Sequence, residues 1–242
     1  MCVLAAERVT AQWTTRGAPS DKGWRFGLTP YIWLAGIEGD VGVGPLTSHV
    51  DLSPSDVLDH LQFAASLYGE ARRQWFVGGI DAFYASVGGA KAVVFRGDTG
   101  TFNLTNRQTI VTPMVGYSVG NTMWTLDLLA GARYWRTRDR LSVDRPNGQS
   151  RDFTTTTDWW DALGGLRLTG SIVQRVPFTV GGDVGGGGAK SDWQLHGDVG
   201  YKLSSVWTLG ASYRYLSVDY SKSPLTLDIA FKGFVVAGTY RF

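Results

Sequence analysis

The sequence holds one cysteine, Cys2, in 242 residues. A disulfide framework and a thiolate metal site are therefore excluded. Charged side chains make up 18 %, below the rough quarter of an ordinary soluble domain, and the net charge is only +2. So even a balance leaves no footprint for a nucleic-acid partner. Histidines number three, and neither a phosphate loop nor a metal-ligand spacing occurs. No run of about 18 apolar residues exists, which excludes a membrane-crossing helix. It does not exclude crossing strands, whose alternating faces average out in hydropathy.

What is abundant is glycine, at 32, and ten each of tryptophan and tyrosine. The aromatic residues fall into segments of period-two alternation broken by turn residues, the signature of half-buried strands. Ten such segments are legible: 24–35, 62–71, 75–86, 107–119, 123–137, 157–172, 176–185, 193–203, 207–218 and a last one from about 233 to 242. The fifth is the clearest, with Trp124, Leu126, Leu128, Ala130, Ala132 and Tyr134 on one face. Connections alternate between tight (72–74, 120–122, 173–175, 204–205) and long (36–61, 87–106, 138–156, 219–225). A glycine run, Gly185–Gly188, makes one further short connection.

The face opposite the apolar stripes collects charge at strand centres. It carries Arg25, Glu70, Asp81, Asp127, Arg133, Asp161, Arg167, Asp183, His196, Asp198, Arg214 and Arg241. An arginine or lysine at the middle of a bilayer costs about 2–4 kcal/mol. The apolar stripes end in aromatic residues such as Trp193 and Tyr201, suited to the two membrane interfaces. Charges inside and hydrocarbon outside is the consistent arrangement, and a closed ring also satisfies every backbone amide. Tyr31, Trp33, Tyr68, Phe83, Trp135 and Trp159 share the inward parity and take up volume. Barrels of about eight strands are filled by side chains and wide channels need about sixteen. A lumen plugged by paired charges is expected, with a narrow conducting path as the alternative.

The last strand places Phe234, Val236, Gly238, Tyr240 and Phe242 on one face. With its terminal aromatic it resembles the closing strand of bacterial outer-membrane β-barrels, which in that family is also the signal read by the assembly machinery. Further residues resemble an uncharacterised group of small Gram-negative outer-membrane barrels. These are Pro30–Trp33, Ser55–Leu58, the strand Gly131–Trp135 and the strand Arg214–Tyr220. The resemblance implies an all-β fold: a closed, antiparallel, transmembrane up-and-down β-barrel of about ten strands. It also implies short periplasmic turns, longer extracellular loops and both termini periplasmic. Residues 1–22 are expected to be a residual signal and N-terminal tail, since Val3–Ala6 is too short for a signal core, and 23–242 the barrel.

Expected partners are outer-membrane lipid, lipopolysaccharide and the barrel assembly machinery. The expected role is structural or surface-interacting, with no cofactor, metal or catalytic residue. Arg136, Arg138 and Arg140 continue the outward face just past Tyr134, at head-group height, where guanidinium forks match lipid phosphates. The first long connection is acidic (Glu38, Asp40, Asp51, Asp56, Asp59), and solvated loop acids are favoured there over a divalent-cation site. Within it, Ser53, Pro54 and Asp56 spell a helix start, and Val57, Leu58 and Leu61 are placed to lay that helix over the barrel mouth. A hydrolase of omptin or lipid-modifying type is a third reading. His196 and Asp198 lie mid-strand, and neither Ser66 nor Ser212 has an evident histidine neighbour.

Overall fold

In the computed structural model the described residues are 23–43, 46–95, 98–121, 123–144, 150–223 and 225–242. The expected tail of residues 1–22 lies outside them. The fold is one antiparallel sheet closed on itself. Its strands are β1 (Arg25–Val43), β2 (Leu46–Leu52), β3 (Leu61–Arg73), β4 (Phe76–Phe95), β5 (Asp98–Gly120) and β6 (Trp124–Asp144). They continue as β7 (Ser150–Val173), β8 (Val176–Gly187), β9 (Ser191–Lys202), β10 (Trp207–Lys222) and β11 (Leu225–Arg241). Consecutive strands pair around the ring, and β11 closes on β1, for example Leu34 opposite Phe234. Backbone bonds between Phe26 and Phe242 tie the two ends together.

Eleven strands are present where ten were expected, because β2 is an addition. The lower part of β1 pairs with β3 as far as Pro30, whose nitrogen cannot donate, and its upper part turns back on β2 from Ile37. The single helix, α1 (Pro54–Asp59), starts at the expected place. Ser53 and Asp56 form a reciprocal capping box around Pro54. It is not a lid, however. None of its residues is buried and Leu58 is exposed.

The long connections are corrected as well. Residues expected to form loops at 87–106 and 138–156 mostly continue the ladders. β4 and β5 pair from Phe76–Tyr117 out to Phe95–Asp98, and β6 and β7 from Trp124–Gly170 out to Asp144–Ser150. The first extension is rich in glycine and the second in arginine, aspartate and threonine, so the regular apolar alternation that marks a strand is missing although the backbone pairing persists. At the opposite end the turns are tight and locally specified. Asn121 Oδ1 accepts from the amides of Met123 and Trp124, and Gly120 before it has φ +153°, a conformation that glycine tolerates. Ser204 Oγ does the same for Val206 and Trp207.

Side-chain parity is constant along each strand, but its polarity is not. On β10 the outward residues Trp207, Leu209 and Tyr213 are apolar and exposed, while Thr208, Ser212 and Arg214 face inward. Beyond Tyr215 the order reverses. Leu216, Val218 and Tyr220 face inward and are buried, while Ser217 and Asp219 face outward. β11 repeats the switch: Leu225, Leu227, Ile229 and Phe231 are buried inside, and Phe234, Val236 and Tyr240 are exposed outside. The molecule is thus a lower barrel with a polar interior and apolar exterior, continued upward by a collar with an apolar interior and polar exterior.

Candidate functional site

The lumen gathers chemistry-bearing side chains from all around the barrel, and every charged residue expected to face inward lines it or is buried in its wall. It has two compartments. The upper one is apolar and aromatic. Trp135 and Trp159 stack at 5.6 Å, Trp159 lies on Tyr220 at 4.1 Å, and Trp33 meets Phe83 and Phe231 edge-on or tilted. Leu216, Val218, Leu225, Leu227 and Ile229 fill the space between these rings. The six inward aromatic residues read from the sequence are all here or on its border.

Below this plug the charges are matched into separate sets. In the first, Arg72 and Arg167 both bind Glu70 and Asp127, with Arg72 Nη2 to Asp127 Oδ2 at 2.6 Å and Arg167 Nη2 to Glu70 Oε2 at 2.8 Å. Tyr68 and Ser118 complete it by hydrogen bonds to Glu70 and Asp127. In the second, Arg133 spans Asp183 at 2.8 Å and the fully buried Asp192, which also accepts from the Trp135 indole at 2.7 Å. In the third, Arg214 binds Asp81 at 2.9 Å and lies over the rings of Tyr31 and Trp33, while Tyr31 donates to Asp81 at 2.7 Å. Such pairing is what a low-dielectric interior requires, because an unpaired buried charge is costly.

Asp161 is held differently. It accepts from the Trp159 indole and the Ala189 backbone amide, and Arg133, directly opposite it on β6, bonds Asp183 and Asp192 instead. Arg241 donates to Thr208 at 3.0 Å, and Arg25 lines the lower chamber beside it. That chamber has a volume of about 300 Å³ and lies between the plug and the tight turns.

Two members escaped sequence reading. Arg72 was assigned to a turn and Asp192 fell one residue before an expected strand. Both share the parity of inward residues read from the sequence, Glu70 and His196, so extending that parity past the apparent strand ends exposes them.

His196 Nδ1 bonds Asp198 at 2.7 Å. Ser212 sits opposite Asp198 on β10, and Arg214 sits opposite His196. The carboxylate therefore stands between hydroxyl and imidazole, whereas an activated nucleophile needs the imidazole next to the hydroxyl.

The acids of the first long connection do not converge. Glu38 pairs with Lys232, Asp40 with His49 at 2.9 Å, and Asp56 with Ser53 at 2.6 Å. The two Ser53 hydrogen bonds hold the Asp56 carboxyl below its ordinary range. Arg136, Arg138 and Arg140 are exposed on the outer wall above Tyr134, as expected, and Arg140 binds Asp152 at 2.7 Å. Phe234, Val236, Tyr240 and Phe242 are exposed on the outward face of β11 and its end, with the half-buried Gly238 among them.

No family profile and no curated protein matches the chain. Among solved structures it is similar to the outer-membrane protease OmpT from Escherichia coli, at 12 % identity and a TM-score of 0.49, over 95 % of this chain and 99 % of that one. It is also similar to the translocator domain of the autotransporter NalP from Neisseria meningitidis, at 12 % identity and a TM-score of 0.47, over 91 % and 89 %. A third likeness is to Ail, the attachment invasion locus protein of Yersinia pestis, at 14 % identity and a TM-score of 0.33, over 91 % and 99 %.

Proposed function

We propose that this chain is an integral β-barrel protein of a bacterial outer membrane whose lumen is closed, so that its role is structural or surface-interacting rather than conductive. The observation that carries the membrane reading is the polarity switch. The lower barrel exposes Ile32, Leu67, Ile80, Val115, Leu128, Leu166, Val180, Leu195, Leu209 and Phe234 around its whole circumference. Water would leave that belt unpaired with anything apolar, whereas lipid covers it, and the collar above has the polarity of a protein in water. The belt is bordered above by the outward pairs Tyr134–Trp160 and Trp193–Tyr215 and below by Trp207–Tyr240, the two aromatic girdles of such a barrel.

On this reading the tight turns and both termini face the periplasm and the collar faces outward. Lipid and lipopolysaccharide surround the belt, and the outward aromatic residues of β11 are the face offered to the assembly machinery.

Closure rests on the plug. Its rings and aliphatic side chains pack into one buried cluster inside the barrel, and most of the acids below it are bound by arginines. Protein that is folded, as judged by heat-modifiable migration on a gel, is expected to give no channel events in planar bilayers. Steady unit conductance from the folded form would overturn the closed-lumen reading. Solubility as a monomer without detergent would overturn the membrane reading itself.

A further inference from the structure

The outer wall of the collar carries two like-charged ladders that only the strand register brings together. On one side Arg107 of β5 stands directly opposite Arg138 of β6, flanked by Arg136 and Arg140. On the other side Asp219 of β10, Asp228 of β11 and Asp40 of β1 stand shoulder to shoulder in one row across three strands. Like charges placed directly opposite in an antiparallel sheet are destabilising. Their neighbours relieve only the ends. Asp40 bonds His49, Asp219 meets Lys190 at 3.6 Å, and Arg140 bonds Asp152. Arg107, Arg138 and Asp228, at the centres, have no ion-pair partner among the described residues.

Two further facts relate the ladders. They lie on nearly opposite walls, since the β5–β6 pair and the β10–β11–β1 row are separated by β7, β8 and β9 on one side and by β3 and β4 on the other. They also stand at the same height. Arg138 is four residues beyond Tyr134, and Asp219 is four beyond Tyr215, the two tyrosines of the upper aromatic girdle. Shape agrees with charge. Below the arginines the lipid-facing wall is hollowed where Gly69, Ala71, Gly78, Ala130 and Ala132 replace bulky residues. Below the acids it carries the projecting pair Tyr213–Phe234, with ring centres 5.3 Å apart.

We propose that the arginine wall docks the aspartate wall of a second copy of this chain, side by side in the membrane, with the Tyr213–Phe234 ridge of one against the hollow of the next. This rests on the membrane reading above, because inserted copies all stand the same way up and so present the two ladders to each other at one level. The contact joins unlike surfaces, so it propagates as a row or closes as a ring rather than stopping at a two-fold dimer. A lipid-borne phosphate is the competing occupant of the arginines. It explains neither the aspartate row nor the matched heights.

The test uses the full chain with Cys2→Ser as background, reconstituted in phosphatidylcholine vesicles with or without lipopolysaccharide. One sample carries Arg138→Cys, a second carries Asp228→Cys, and the two are mixed and oxidised. The expected result is a disulfide-linked dimer in the mixture and none in either variant alone. Adding Arg107→Glu and Arg136→Glu to the first variant should abolish that dimer. Adding Asp40→Lys and Asp219→Lys to the second should restore it. Self-linking of Arg138→Cys, or linking that requires lipopolysaccharide, would assign the arginines to phosphate and overturn the proposal. Absence of any linked species from protein that still shows heat-modifiable migration overturns it too. Loss of heat-modifiable migration in the Cys2→Ser parent would instead count against the barrel reading.

Discussion

The lower barrel and the collar are built from the same strands with the same side-chain parity, yet they solve opposite problems. On β10, Leu209 and Ser217 both point outward, and Arg214 and Val218 both point inward. Below Tyr215 the apolar side chain is the exposed one, and above it the buried one. The difference shows that the solvent outside sets the meaning of each face, and that the strand itself does not. Inside the lower barrel, stability comes from ion pairs that satisfy one another. Inside the collar it comes from apolar packing, as in a protein core.

The largest effect that would sharpen this contrast is expected from Asp127→Ala. It strands Arg72 and Arg167 on Glu70 alone in a buried site, and removing one partner of such a set costs about 3–5 kcal/mol. In the collar, Leu216→Ala removes only packing and leaves a cavity, at about 2–5 kcal/mol. Urea unfolding in detergent or vesicles reads both. Adding Glu70→Leu, Arg72→Leu and Arg167→Leu together should recover much of the first loss, since it deletes every charge of that set. No second-site change of charge should recover the Leu216 loss. Equal rescue in both regions would erase the distinction.

A more direct attempt to break the comparison uses one strand and one face. Leu209→Arg puts a cation into the lipid-facing belt and is expected to cost about 2–4 kcal/mol if it lies near the midplane. Ser217→Arg, further along the same face, should change stability by no more than about 0.5 kcal/mol. Matching losses at the two positions would mean that the boundary at Tyr215 is misplaced.

The smallest effect concerns α1, which belongs to the collar side and is fully wet. Asp56 has its folded pKa depressed by the Ser53 hydrogen bonds. Its contribution is therefore present above the ordinary aspartate value of about 3.9 and is lost as pH falls through the lower folded value. The Ser53 amide resonance should hold steady from neutral pH to mildly acidic pH and move only under strong acid. A shift near neutrality would show that the capping box is not formed.

Much of the lower barrel was legible because there an apolar outward face alternates strictly with a polar inward one. Trp124 to Tyr134 announces itself, and so does the inward parity of Asp127 and Arg133. The helix start at Ser53 was legible for a different reason: a capping box is written in four consecutive residues. The collar was not legible. Its strands at 87–95 and 98–106 mix glycine, apolar and polar residues without regular alternation, on a backbone whose pairing comes from the neighbouring strand, so they read as loops. Arg72 and Asp192 were missed at apparent strand ends, where the apolar alternation fades although the parity continues.

By itself the sequence determined parity, and with it which residues turn inward, because side-chain direction in a strand is a local property of period two. It could not decide what each inward residue meets. Arg72 binds Asp127 across 55 positions of chain, Arg214 binds Asp81 across 133, and Asp228 stands beside Asp40 through the closure of β11 on β1. Those relations depend on register and on ring closure, which are properties of strand pairs distant in sequence. For the same reason only the tertiary structure revealed that the inside changes from ions to an apolar plug, and that the outside carries two opposed ladders of charge.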